Sequence, residues 1–153
     1  MLTGTVNVYL PDMKYFDDRY AMRYSGAENY FDIASRAISE MFKQVGKCVF
    51  DENGMIKKGV IVRHLMLPHL LFDSKKIIDY LFSTYGDDIF LSIMNQYTPV
   101  KTLPKDFPEL SKKISEKCYT SLINYALKLG IKNAYIQKGD TAKESFIPEF
   151  YGE

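Results

Sequence analysis

The segment Val60-Ile61-Val62-Arg63-His64-Leu65-Met66-Leu67 limits the possible folds of this chain more than any other stretch. It is apolar at both parities of a pleated strand, so both of its faces must be covered. A half-wet antiparallel sheet would instead alternate strictly between apolar and polar. Pro68 closes the run, because proline cannot donate to a ladder. A second doubly apolar run, Ile89-Phe90-Leu91-Ser92-Ile93-Met94, follows after a helical stretch. Two buried strands separated by a helix read as a parallel pair joined by a right-handed crossover.

The remaining chain continues the alternation. Residues 6–10 form a β-branched and aromatic strand stopped by Pro11. Residues 18–24 read as a short helix ending at Ser25-Gly26. Residues 29–45 read as a longer helix, with Phe31, Ala34, Ala37, Ile38, Met41, Phe42 and Val45 on one stripe. Asn29 is its expected N-cap and Gly46 its left-handed stop. Asp51-Glu52-Asn53-Gly54 is a turn signal, so a small hairpin near residues 48–58, outside the main sheet, is expected. Ser74 is the expected cap of a helix over 75–85 that Gly86 stops. A proline-bearing connector over 101–108 precedes a helix capped by Ser115, with the stripe Tyr119, Leu122, Ile123, Ala126 and Leu129 and a stop at Gly130. Residues 134–137 are the expected last strand. The tail 138–153 carries Phe146, Ile147, Phe150 and Tyr151 and is expected to dock on the body. The fold class is therefore α/β, with about four mostly parallel strands and helices packed on them. Periodicity fits a doubly wound sheet and part of a (β/α) barrel equally.

Composition narrows the partners. The chain has 153 residues, 46% of them hydrophobic, enough for one domain with a real core. Twenty basic and nineteen acidic side chains leave a net charge of +1, which argues against nucleic acid or an anionic membrane held by bulk charge. No apolar run approaches the roughly 18 residues of a membrane span. Cys48 and Cys118 make neither a disulfide framework nor a metal motif. With no basic and apolar leader at the start, a reducing, cytoplasmic setting is expected.

Polar side chains collect where the strands end. Asp12 and Lys14 follow the first strand and, two apart, share a face. Arg63 and His64 interrupt the second strand, and Asn95, Gln96 and Tyr97 follow the third. The carboxyl edge of a parallel sheet is where ligands bind. Lys14 or Arg63 suits a carboxylate there, and Asp12 an amine or hydroxyl. An Arg63–Asp12 pair reads equally well as a buried ion pair closing the sheet. His64 reads as a core or loop histidine, and no carboxylate spacing completes a zinc set with His69. No phosphate loop, dinucleotide fingerprint or nucleophile elbow occurs in the sequence.

Five stretches carry a resemblance, in this order: Val8-Tyr9-Leu10-Pro11-Asp12-Met13-Lys14-Tyr15, Tyr24-Ser25-Gly26-Ala27-Glu28-Asn29-Tyr30, Gly59 through the long strand to Pro68, Leu91-Ser92-Ile93-Met94-Asn95-Gln96-Tyr97-Thr98-Pro99, and Phe146-Ile147-Pro148-Glu149-Phe150. Together they resemble radical S-adenosylmethionine (SAM) proteins similar to pyruvate formate-lyase activating enzymes. The pair of motifs YLPDxKY and RHLxLP is its most specific part, and the match covers nearly the whole chain. The resemblance implies a partial (β/α) barrel with helices outside, of which residues 1–153 correspond to the C-terminal half. In that family the other half carries a Cys-x-x-x-Cys-x-x-Cys loop for a [4Fe–4S] cluster and a Gly-Gly-Glu-type motif. Neither is present in this sequence, so the resemblance implies SAM as cofactor, an iron–sulfur cluster only in the intact protein, and no metal ligand or catalytic residue here. It places Asp12 and Lys14 beside SAM and Arg63 near its carboxylate or ribose. Gln96 stands near the place where the activating enzymes carry a histidine. The implied activity is reductive SAM cleavage and hydrogen abstraction, in the manner of a lyase or oxidoreductase, from a glycyl-radical enzyme or another substrate; this chain alone is expected to be inactive. The competing expectations are a non-catalytic module that dimerises, or complements a cluster-bearing half, through the open edge at 6–10, and a stand-alone small-molecule domain.

Overall fold

The computed structural model describes residues 4–99, 106–138 and 143–146. The elements are β1 (Val8–Tyr9), α1 (Asp18–Ser25), α2 (Tyr30–Val45), β2 (Val49–Phe50), β3 (Ile56–Leu65), α3 (Leu71–Tyr85), β4 (Phe90–Met94), α4 (Glu116–Leu129), β5 (Ala134–Lys138) and β6 (Lys143–Phe146). The sheet runs β1-β3-β4-β5-β6. Strands β1, β3, β4 and β5 are parallel, and β6 lies antiparallel on β5. This is the expected α/β class, a sheet of the partial (β/α)-barrel kind. Among the described residues no helix is long and apolar enough to cross a membrane.

Pleat parity separates the two faces. Val60, Val62, Leu91, Ile93, Ala134 and Ile136 pack with Ile38 and Val45 of α2, Ile77, Ile78 and Leu81 of α3, and Tyr119, Leu122 and Ala126 of α4 in one core. The opposite parity of β3 and β4 is Ile61, Arg63, Leu65, Phe90, Ser92 and Met94, facing away from those helices. Helix α1 packs in a smaller cluster of Tyr15, Ala21, Leu67 and Leu70.

The hairpin forms, but not outside the sheet. β2 pairs antiparallel with the start of β3, Val49 with Lys58 and Phe50 with Ile56, so its second arm is the first third of the long central strand. Asp51 closes the turn by accepting from the amides of Asn53 and Met55 at 3.0 and 2.9 Å.

Two helix starts also differ from expectation. Asn29 sits at the head of α2 in a left-handed conformation, φ 52°, and its side chain caps nothing. Asp18 of α1 reaches across instead and accepts from the Phe31 amide at 3.0 Å. Helix α3 begins at Leu71, one turn before Ser74, whose own amide bonds to the Leu70 carbonyl. The polar anchor there is the buried Asp73, whose two oxygens accept from the amides of Phe16 and Asp17, both at 2.9 Å. Asp73→Ala is expected to leave both amides without that partner and to lower the unfolding free energy by about 2 kcal/mol, read from urea midpoints. Ser115 and Gly130 bracket α4 as expected: the serine accepts from Cys118, and the glycine amide meets the carbonyls of Ala126 and Leu127.

β5 is not the last strand, because Lys143–Phe146 pairs back on it. Residues 139–142 and 147–153 of the expected docking tail, and the connector residues 101–105, lie outside the described residues.

Candidate functional site

Pro11 ends the regular pairing of β1, yet its carbonyl still accepts from the Arg63 amide at 2.8 Å. The Met13 amide then donates to the Arg63 carbonyl at 2.9 Å. Asp12 and Arg63 are therefore neighbours across a parallel bridge with their side chains on one face. Arg63 Nε donates to Asp12 Oδ1 at 2.7 Å. The two side chains are 44% and 38% exposed, so this is not the buried ion pair that was one alternative, and it adds little to stability. Its effect is on orientation. Only Nε is engaged, and neither Nη of Arg63 has a partner among the described residues. A guanidinium held by one edge presents the other as a planar fork for a carboxylate or phosphate.

Burial alternates along the segment beside this pair. Met13 and Tyr15 are buried, whereas Asp12 is exposed and Lys14 partly so. Asp12 and Lys14 thus lie on the same side, as expected, and Lys14 has no ion-pair partner among the described residues. The Lys14 amide donates to the Tyr30 hydroxyl at 2.8 Å.

The register extends the row. Asp12 pairs with Arg63, Arg63 with Ser92, and Ser92 with Tyr135, so four strands place four polar residues side by side away from the helical core. Phe50, Phe90 and Tyr135 pack beside this row, with ring centroids 5.5 and 4.3 Å apart along the chain of contacts. Ser92 and Tyr30 were not among the residues singled out from the sequence. Ser92 had a signal, being the lone polar residue in a doubly apolar run; Tyr30 had none. Gln96 is exposed just past β4, and no hydrogen bond joins it to the Asp12–Arg63 pair.

His64 is on the other face. Its Nδ1 lies 2.8 Å from the Met13 carbonyl, so that nitrogen carries the proton, and its Nε2 is buried with no partner among the described residues. Burial pulls its pKa down to about 4, as for a core histidine. Both cysteines are free thiols. Cys48 packs against the Val60 carbonyl, where burial pushes its thiol pKa up, and Cys118 sits in the first turn of α4. Among the described residues no group of three His, Cys, Asp or Glu could hold a metal ion. A cluster needing three protein thiolates therefore does not fit this chain.

Fold and site together define a mostly parallel α/β sheet of the partial-barrel kind, with an oriented arginine on the face turned away from α2, α3 and α4. A curated protein resembles the chain: the uncharacterized protein MJ0674 of Methanocaldococcus jannaschii, 29% identical over 138 residues, which take in 88% of this chain and 36% of that protein. The chain thus spans about a third of the length of the curated relative it matches. No family model matches the chain, and no solved structure does.

Proposed function

We propose that this chain is the SAM-orienting half of a radical SAM enzyme similar to pyruvate formate-lyase activating enzymes. The observation that carries the reading is Arg63, tied to Asp12 through Nε with both Nη groups unpartnered among the described residues. Such a fork suits the carboxylate of the methionyl end of SAM, with Lys14 adding charge on the same side and Asp12 setting the guanidinium. Gln96 remains a candidate for the ligand's far end. The chemistry that SAM supplies when bound at an iron–sulfur centre is reductive cleavage followed by hydrogen abstraction from a protein or small substrate. Thiolates for that centre would have to come from elsewhere, since Cys48 and Cys118 occupy separate parts of this fold. A glycyl-radical enzyme is the proposed protein substrate, and the two free thiols accord with a cytoplasmic setting.

Titration calorimetry with SAM tests this. The wild-type chain should bind, and Arg63→Ala should weaken binding at least tenfold, the expected loss for a charge-assisted pair. Equal affinities for the two proteins, or no binding by the wild type, would sink the reading.

The second reading, an assembly module, is favoured by one observation. β1 is an end strand of the sheet, and Leu10 beside it is 53% exposed. Unpaired strand edges invite pairing. Light scattering across a hundredfold range of concentration should then show a rising mass that a charge placed at Leu10 abolishes; a constant monomer mass removes self-association.

A further inference from the structure

We infer that Tyr30 is the positioning residue of the Asp12–Arg63 site, its hydroxyl clamping the backbone of residues 12–14 from α2. The inference rests on the functional reading above. The ladder between β1 and β3 is regular only at Val8 and Tyr9, and beyond Pro11 a single bridge, Asp12 with Arg63, holds the strand extension. That bridge consists of the Arg63 amide on the Pro11 carbonyl and the Met13 amide on the Arg63 carbonyl. Three further bonds replace the missing ladder. The Met13 carbonyl accepts from His64. From the opposite side, the Tyr30 hydroxyl accepts from the Lys14 amide at 2.8 Å and donates to the Asp12 carbonyl at 3.4 Å. The phenol therefore grips the peptides on either side of Met13, between Asp12 and Lys14. The ring of Tyr15 meets Tyr30 edge-on at 5.3 Å and fixes its direction.

The arrangement makes a specific demand. Asp12 can set the Arg63 fork only if its own backbone is fixed, and an unclamped extension would let the carboxylate wander. Tyr30 touches neither charged head group; it acts through Asp12 and Lys14.

Tyr30→Phe keeps the ring and removes the clamp. The test compares wild type, Tyr30→Phe and Ser25→Ala, the last cutting the Tyr15–Ser25 hydroxyl contact (2.9 Å) in the same aromatic cluster while sparing residues 12–14. The first readout is the ¹⁵N–¹H signal of Arg63 Nε, which reports the ion pair without ligand. It should be sharp in wild type and in Ser25→Ala, and broadened by faster exchange in Tyr30→Phe. The second is SAM affinity, expected to fall about fivefold in Tyr30→Phe alone, as for the loss of one hydrogen bond. A signal unchanged in Tyr30→Phe, or equally broadened in Ser25→Ala, overturns the inference. Hydrogen exchange on the wild-type chain covers the case in which the variant does not fold. There the Lys14 amide should be protected, and exchange at the free-peptide rate overturns the clamp. Failure of wild type to bind SAM counts against the functional reading, while the ligand-free Nε signal still decides the clamp.

Discussion

Gly59→Ala is expected to destabilise the chain by about 3 kcal/mol, the largest effect expected at any of the described glycines. Gly59 has φ +138°, a region that side chains avoid, and a Cβ built there would stand 2.6 Å from Cys48 Sγ and 2.8 Å from Cys48 Cα. The position is where β3 leaves its hairpin partner β2 and meets β1, through the bond from its amide to the Asn7 carbonyl at 3.0 Å. Cys48 is held there by its own amide on the Asp88 carbonyl at 2.9 Å, so it cannot retreat without loosening the turn that leads into β4. The double variant Gly59→Ala with Cys48→Ala should recover only part of the loss, since it removes the thiol contact and leaves the backbone contact. Full recovery in urea unfolding would show that the side chain, not the main chain, sets the limit.

Acid should destabilise the fold through His64. Its folded pKa, about 4, lies below the ordinary value of 6.5 because burial disfavours the imidazolium. A depressed histidine contributes stability that is complete above pH 6.5 and lost as the pH falls toward 4, because only the unfolded chain takes up the proton in that window. The span corresponds to about 3 kcal/mol. Asp73 works in the opposite sense. Burial raises its carboxyl, so its contribution falls as the pH rises through its folded value, starting near 3.8. Asp17, lowered to about 2 chiefly by its hydrogen bond with Arg19, loses its contribution only between 3.8 and 2. The upper part of the acid limb therefore belongs to His64. The other histidine, His69, is exposed. Unfolding midpoints at pH 7 and pH 4.5 should differ strongly in wild type and little in His64→Gln, whose amide can still donate to the Met13 carbonyl. Equal slopes in the two proteins would remove His64 as the cause.

What could be read in advance divides along physical lines. Val60–Val62 and Leu91–Ile93 announced parallel strands because burial on both faces is a one-dimensional signal. Helix ends at Gly46, Gly86 and Gly130 were legible because positive φ is a local demand that glycine meets. The start of α3 was not, since Ser74 looks like a cap by residue type while the true anchor, Asp73, spends its oxygens on amides 56 and 57 residues away in sequence. β6 was missed for a similar reason. Lys143-Glu144-Ser145-Phe146 has no apolar alternation and becomes a strand by pairing with β5. In the site, Asp12, Lys14 and Arg63 stood out because strand ends collect polar residues. Tyr30 could not, because its partners are main-chain atoms that no side-chain pattern reveals.

The two flanks of the sheet are chemically unlike. On the far flank an antiparallel strand follows β5 and reverses the polarity of the backbone, whereas the near flank ends in β1, still parallel to its neighbour β3. Any further repeat of strand and helix that preserves this polarity can accrete only beside β1. Such a repeat would pair with β1 itself, at Val8 and Tyr9, because past Pro11 the outward Asp12 carbonyl and Lys14 amide are already engaged by Tyr30.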